Sequence, residues 1–110
     1  MPTFITYASY SHAGIKGIVD KPTDRTDAIK TLVEKAGGKL VTAYMTTGTN
    51  DVLLVTELPD GSDAVAVGMA AAASGAVSKI ETVRAWTLGE FKGIAEKAAR
   101  AATSYVPPGR

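Results

Sequence analysis

Two residues of this chain are suited to moving a proton: its single histidine, His12, and Asp51, which follows a tight turn. An imidazole titrates near neutrality, and a carboxylate whose pKa is raised by burial can serve as a general base. Asp51 also has a structural reading. After Thr47-Gly48-Thr49-Asn50 it can accept backbone N–H groups and hold the turn, or pair with Arg25 or Arg84. Arg25 and Lys16 could hold an anion or stand as solvated charges. Tyr7, Tyr44 and Trp86 could line a pocket with apolar walls and polar tips, or simply pack in a core or an interface. The candidate set is therefore His12 and Asp51 for catalysis, and Tyr7, Arg25, Tyr44, Arg84 and Trp86 for an organic ligand.

Several chemistries are absent from the sequence. Gly14-x-x-Gly17 lacks the Lys-Ser/Thr ending of a phosphate loop, and Gly37-Gly38-Lys39 reads as a helix stop. There is no Gly-x-Ser-x-Gly elbow to expose a nucleophilic serine. One histidine and no cysteine cannot build a multi-histidine or thiolate metal site within one chain, so neither a metal nor another cofactor is expected. Twelve basic residues against eleven acidic ones leave no net field to grip a phosphate backbone, and nucleic acid is not an expected partner. The apolar run from Ala64 to Ala73 is too short to cross a bilayer and is mostly alanine. No signal peptide is read after Met1-Pro2-Thr3. Lack of cysteine suits a reducing compartment, and the expected location is the cytoplasm.

The elements that must position these residues follow from periodicity. At 110 residues, with 45% hydrophobic and 21% charged, the chain is expected to form one domain with one core. Thr3 to Ser9 is rich in β-branched and aromatic residues and predicts a strand. Tyr10 to Lys21, interrupted by Gly14 and Gly17 and closed by Pro22, predicts a loop with a short helix. After a cap at Thr23 or Asp24, the spacing of Ala28, Ile29, Leu32, Val33 and Ala36 predicts a helix that Gly37-Gly38 ends. Lys39 to Thr46 predicts a second strand, with Val41, Ala43 and Met45 on one face and Thr42, Tyr44 and Thr46 on the other. Val52 to Leu58 predicts a third, whose opening Val-Leu-Leu-Val run needs cover on both sides. Asp60 or Ser62 caps an alanine-rich helix reaching about Ser74.

Val77 to Trp86 predicts a fourth strand, with Ile80, Thr82, Arg84 and Trp86 facing one way and Glu81, Val83 and Ala85 the other. Thr87-Leu88-Gly89-Glu90 is a capping box. The helix it opens carries Leu88, Phe91, Ala95, Ala98 and Ala102 on one stripe, and Lys92, Glu96 and Arg100 on another. Residues 105–110 predict a flexible tail. The sum is an α+β ferredoxin-like βαββαβ sandwich with a four-stranded antiparallel sheet and an added C-terminal helix. Such a sheet leaves one face bare. An apolar bare face predicts packing against a second copy, sheet against sheet, so the chain is expected to be at least a homodimer.

The order of these features resembles the GYD domain family. The features are His12-Ala13-Gly14-Ile15 after the first strand, Pro22-x-x-Arg25, Gly37-Gly38, Gly48-x-x-Asp51, Pro59-Asp60, Gly75 and the Thr82 to Glu90 segment. The resemblance runs from Phe4 through Phe91 and implies one GYD-like domain over residues 1–104, related to the dimeric α/β-barrel superfamily and expected to form such a barrel from two copies. Asn50 stands where the family signature has Tyr, which removes an aromatic ring from the hairpin. The family brings no established activity. Three functions are compatible: binding of a small organic ligand beside the sheet; a cofactor-independent monooxygenase or isomerase, as in related barrel families, using His12 and Asp51; or a structural subunit assembling through the alanine-rich and terminal helices.

Overall fold

The computed structural model describes residues 1–110. Its elements run β1 (Thr3–Tyr10), α1 (His12–Asp20), α2 (Thr26–Lys35), β2 (Lys39–Met45), β3 (Val52–Glu57), α3 (Gly61–Ala73), β4 (Val77–Ala85) and α4 (Leu88–Ala102). The strands form one antiparallel sheet in the order β2-β3-β1-β4. Because β1 lies between β3 and β4, the chain makes two interleaved crossovers, the split βαβ plan of a ferredoxin-like fold.

Register divides the sheet into two faces. Phe4, Thr6 and Ala8 of β1 and Val52, Leu54 and Thr56 of β3 are buried beneath the helices. Phe4 packs there with Val33, Leu58, Ala64 and Val67, and Ala8, Val52 and Leu54 form a second cluster. The alternate residues, Ile5, Tyr7, Leu53 and Val55, lie on the uncovered face and are only half-buried. The Val52 to Val55 run is thus read from both sides, as a central strand requires.

α2 ends as expected. Gly37 has φ +87°, its N–H donates to the Glu34 carbonyl, and the Gly38 N–H donates to the Val33 carbonyl. This Schellman pairing satisfies two carbonyls that the helix end would leave free. The other end differs from expectation. Arg25 occupies the N-cap position with no side-chain cap, while Asp24 just outside accepts from the Thr26 N–H (2.9 Å) and hydroxyl (2.6 Å). These bonds, the side-chain one foremost, hold the exposed Asp24 carboxyl below its ordinary range.

Two further expectations need correction. The segment after β1, read as a loop with a short helix, is almost wholly a nine-residue helix. Ser11 caps it by accepting from the Gly14 N–H, and anchors it by donating to the Gly75 carbonyl at 2.6 Å. Gly14 is required here, since a Cβ would overlap the Ala76 carbonyl. In β2 the even alternation breaks at a bulge between Leu40 and Thr42, which leaves Val41 as an extra, exposed residue. Leu40, rather than Val41, therefore packs with Ala43 against the core.

α4 begins with the capping box read from the sequence: Thr87 and Glu90 each bind the other's backbone N–H. None of its residues is buried, and it makes no substantial packing contact with any other element. The molecule is correspondingly long, 62 × 31 × 22 Å, with a radius of gyration of 17.9 Å against about 13 Å for a compact chain of this length. No helix is long and apolar enough to cross a membrane.

Candidate functional site

The helices do not close over the sheet. α2 leans on β2 and α3 on β4, and between them runs a slot of about 220 Å³ floored by Thr6, Ala8, Val52, Leu54 and Ile80 and walled by Ile29, Leu32, Val67 and Ala71. At the end of the sheet where α1 sits, the slot meets two wider recesses, of about 430 and 270 Å³. Tyr10 and Arg25 line all three, so the three recesses adjoin around these two side chains. The slot's floor is largely apolar; the recesses at its mouth carry Lys21, Thr23, Asp24 and Arg25.

The backbone explains the cleft. α1 is pinned to the start of β4 by the Ser11 N–H to Ala76 carbonyl bond (2.8 Å) and the Ser11 hydroxyl bond above. It roofs the sheet's end without reaching the centre, and none of its residues is buried. Small residues on α3, Ala70 and Ala71, leave the width of the slot unfilled. Neither Lys21 nor Arg25 has an acidic partner, since the chain's ion pairs are Lys16–Asp20 and Lys30–Glu34.

The residues singled out in the sequence scatter around this cleft. Arg25 lies at its mouth, and Tyr44, on the edge strand β2, borders the same recess. Tyr7 lies on the opposite face of the sheet, in a shallow recess with Asn50, Lys79 and Glu81. Arg84 and Trp86 lie at the far end of the sheet. The Arg84 guanidinium stacks 4.5 Å from the Trp86 ring centroid and 5.9 Å from that of Phe4, and donates to the Thr3 and Ala85 carbonyls. Its bonding therefore clasps β4 to the start of β1.

His12 is the exposed first residue of α1, next to the cleft-lining Ala13 and Gly14. The Asp51 carboxylate accepts from the Tyr10 N–H at 2.9 Å, while its backbone bonds the Ala8 carbonyl and the Thr46 N–H. Asp51 thus ties the hairpin to the end of β1. The ion pairs with Arg25 or Arg84 that the sequence allowed are not formed. No group of three or more His, Cys, Asp or Glu is arranged to hold a metal ion.

Sequence reasoning missed Tyr10, Ile18, Lys21, Thr23 and the slot beneath them. The missed signal was Ser11 placed three residues before Gly14. With Ser11 as N-cap, Ile15, Ile18 and Val19 become a helical pattern instead of a broken loop.

The GYD domain family profile matches residues 4–95. The chain belongs to the GYD domain family. No curated protein matches it. Among solved structures, this GYD protein is similar to TTHA0845 from Thermus thermophilus, with 18% identity, TM-score 0.51, and 79% of this chain and 95% of that one covered. It is also similar to FFRP-DM1, with 13% identity, TM-score 0.52, and 78% of this chain and all of that one covered. At such identities these neighbours speak for the ferredoxin-like fold alone. The GYD profile stops at residue 95, within α4.

Proposed function

We propose that this GYD domain binds a small organic acid in the cleft between α1, α2 and the sheet, and that it works as a homodimer in the cytoplasm. One observation carries the ligand reading: an apolar slot adjoins recesses lined by Lys21 and Arg25, neither of which is ion-paired, with Asp24 as the one carboxylate nearby. A ligand with an apolar body can displace poorly held water from the slot. Its anionic group would meet Lys21 and Arg25, where a planar guanidinium can hold two oxygens at once.

The dimer reading rests on the uncovered face. Ile5, Leu53, Val55 and Val83 form its apolar centre, with Tyr7 and Tyr44 beside it and Lys39, Glu57, Lys79 and Glu81 around the edge. An apolar centre with a polar rim is the composition of a protein interface. The buried Asn50 Oδ1, which has no hydrogen-bond partner, lies in the Tyr7 recess on that face.

Calorimetric titration with a series of straight-chain carboxylates and the matching alcohols tests the ligand reading. Affinity should rise with chain length, and the carboxylate should bind at least tenfold tighter than the alcohol. Arg25→Gln should remove that preference. Equal binding of acid and alcohol would show that the mouth does not select charge. Light scattering at micromolar concentration tests the dimer: a monomer would end that part of the proposal, and Val83→Lys should weaken a dimer.

A further inference from the structure

We infer that Tyr10 selects the ligand: its phenol donates to the acid group that Arg25 holds, and its ring sets how bulky a tail the slot admits. The inference rests on the ligand reading above and adds the residue that discriminates among acids. Only Arg25 and Tyr10 border the slot and both recesses. Arg25 brings charge. Tyr10, half-buried, brings a ring that packs on the Ala8–Val52–Leu54 cluster and a phenol oxygen. That oxygen has no partner in the chain. The bonds of Tyr10 outside the strand ladder run through its backbone: the N–H donates to the Asp51 carboxylate at 2.9 Å, and the carbonyl accepts from the Ser78 hydroxyl at 3.3 Å. Nor is the phenol sealed in, since the buried side-chain oxygens left unpaired are those of Asn50 and Thr56. A tyrosine ring held in an apolar cluster normally finds a partner for its hydroxyl, and here a ligand is placed to be that partner.

The local backbone is built around this residue. β1 and β4 pair Ser9 with Lys79 and then Tyr10 with Val77, so Ser78 is the extra residue of a bulge. Bulges re-aim side chains. Unbroken pairing would set Ser78 opposite Tyr10, with its hydroxyl on the slot side. With the bulge, Val77 takes that place, lines the slot and packs on the same cluster as the ring. The Ser78 hydroxyl turns to the Ser9 and Tyr10 carbonyls instead. Tyr10 is thereby fixed from both sides, by β4 through Ser78 and by the β2–β3 hairpin through Asp51. A side chain whose backbone is so held can select, because it does not move aside for a poor fit.

Two consequences follow for the ligand. An ionised carboxylate accepts from several donors, so an acid at Arg25 takes a second bond from the Tyr10 phenol, worth about tenfold in affinity or more. The tail has to pass the ring, where the slot of about 220 Å³ meets the recesses of about 430 and 270 Å³. The ligand class is therefore the slender aliphatic acid rather than the cyclic one.

Calorimetric titration with octanoate and with cyclohexylacetate, which has the same number of carbons, decides the question. The parent should prefer octanoate. Tyr10→Phe should weaken both acids about tenfold and keep that preference, whereas Tyr10→Ala should abolish it. Far-UV circular dichroism and urea unfolding verify the fold of each variant. Tyr10→Leu, which keeps an apolar contact with the cluster, puts the same question to the ring if Tyr10→Ala does not fold. Acid affinities of Tyr10→Phe within about twofold of the parent would overturn the hydrogen bond. A parent without preference, or a preference that survives loss of the ring, would overturn the selector. Failure of the ligand reading looks different: the parent would bind octanoate no better than octanol, and this inference would fall with it. A parent that prefers octanoate to octanol, with Tyr10 variants that match it, refutes the role of Tyr10 alone.

Discussion

Replacing Asp51 tests whether the hairpin aspartate is a structural tie. Its carboxylate accepts one hydrogen bond, from the Tyr10 N–H at 2.9 Å, at a half-buried site. A hydrogen bond to a charged group contributes about 1.5–3 kcal/mol, and partial exposure places this one toward the lower end, about 2 kcal/mol. Asp51→Ala deletes the acceptor and leaves the Tyr10 N–H unpaired, so it should lose that amount. In a domain of this size such a loss lowers Tm by roughly 8–16 °C. Asp51→Asn keeps a carbonyl oxygen that can take the same position, so it should cost under about 1 kcal/mol. Urea unfolding followed by far-UV circular dichroism measures both, and an unchanged slope would show that the unfolded ensembles are alike. If Asp51→Ala stayed within about 0.5 kcal/mol of the parent, or Asp51→Asn fell as far as Asp51→Ala, the hydrogen-bond account would be wrong. Unaltered binding of organic acids by Asp51→Asn would agree with a carboxylate that works on the fold and not on the ligand.

Leu58, 2% exposed within the Phe4–Val33 cluster, should cost about 2–5 kcal/mol as Leu58→Ala, read by the same urea unfolding. Gly14→Ala should cost about 1–3 kcal/mol, because the added methyl meets a backbone carbonyl that cannot swing aside; hydrogen exchange should show α1 losing protection while β1 and β3 keep theirs. Acid sensitivity follows from three exposed caps. The carboxyls of Asp24, Asp60 and Glu90 are held below their ordinary values of 3.8, 3.8 and 4.5 by hydrogen bonds, chiefly from the Thr26 side chain, the Ser62 side chain and the Thr87 backbone respectively. A carboxyl depressed in the folded state stabilises fully above its ordinary value and loses that contribution as pH falls through the folded one. Thermal melts should therefore be flat from neutrality to about pH 5 and drop below it, and Glu90→Gln should shrink the drop.

The fold was legible because its punctuation is local. Gly37-Gly38 after a three-and-four apolar stripe, Asp60 before an alanine run and Thr87 three residues before Glu90 each specify a helix end through backbone bonds within a few residues. Strand faces were legible where alternation is unbroken, as in β4 from Lys79 onward. They were misread in β2, since a bulge is set by what β3 offers across the ladder and leaves no mark in β2 itself. α1 was underestimated for a related reason: Gly14 and Gly17 lower helix propensity, and the Ser11 contacts that offset this reach Gly75 and Ala76, more than sixty residues away.

Of the residues singled out in the sequence, Arg25 lines the cleft and Tyr44 touches its rim, although register turns Tyr44, opposite Leu53, toward the uncovered face. Tyr7, Arg84 and Trp86 share residue types with a ligand pocket, but register sends Tyr7 to one face and the Arg84–Trp86 stack to the far end of the other. A sequence can say that a tyrosine lies on a strand; only the pairing says which end and which side. Tyr10 was passed over because it stood at the boundary between a predicted strand and a predicted loop, which is where the register shift beside Ser9 and the cleft both lie.

The scarcity of core ties the cleft, the bare sheet face and the free helix together. Only 11 of the 110 residues are buried, and two of those are threonines on the helix-side face, Thr6 and Thr56. A chain of this length would be expected to hide roughly two thirds of its unfolded surface behind one core. Here the apolar residues needed for that are present but point outward, on the uncovered strands, on the outer side of α3 and along α4. Random composition would scatter such residues; these fall on helix stripes and one sheet face. Under the dimer proposed above, association would cover the outer sheet face, and the sheet would have two roles. Its face toward the helices would offer the slot to a ligand, while the opposite face would gain its stability from the partner. On this argument ligand binding and assembly are set by opposite faces of the same strands, so a substitution such as Val83→Lys should change dimer mass without changing the preference for carboxylates over alcohols.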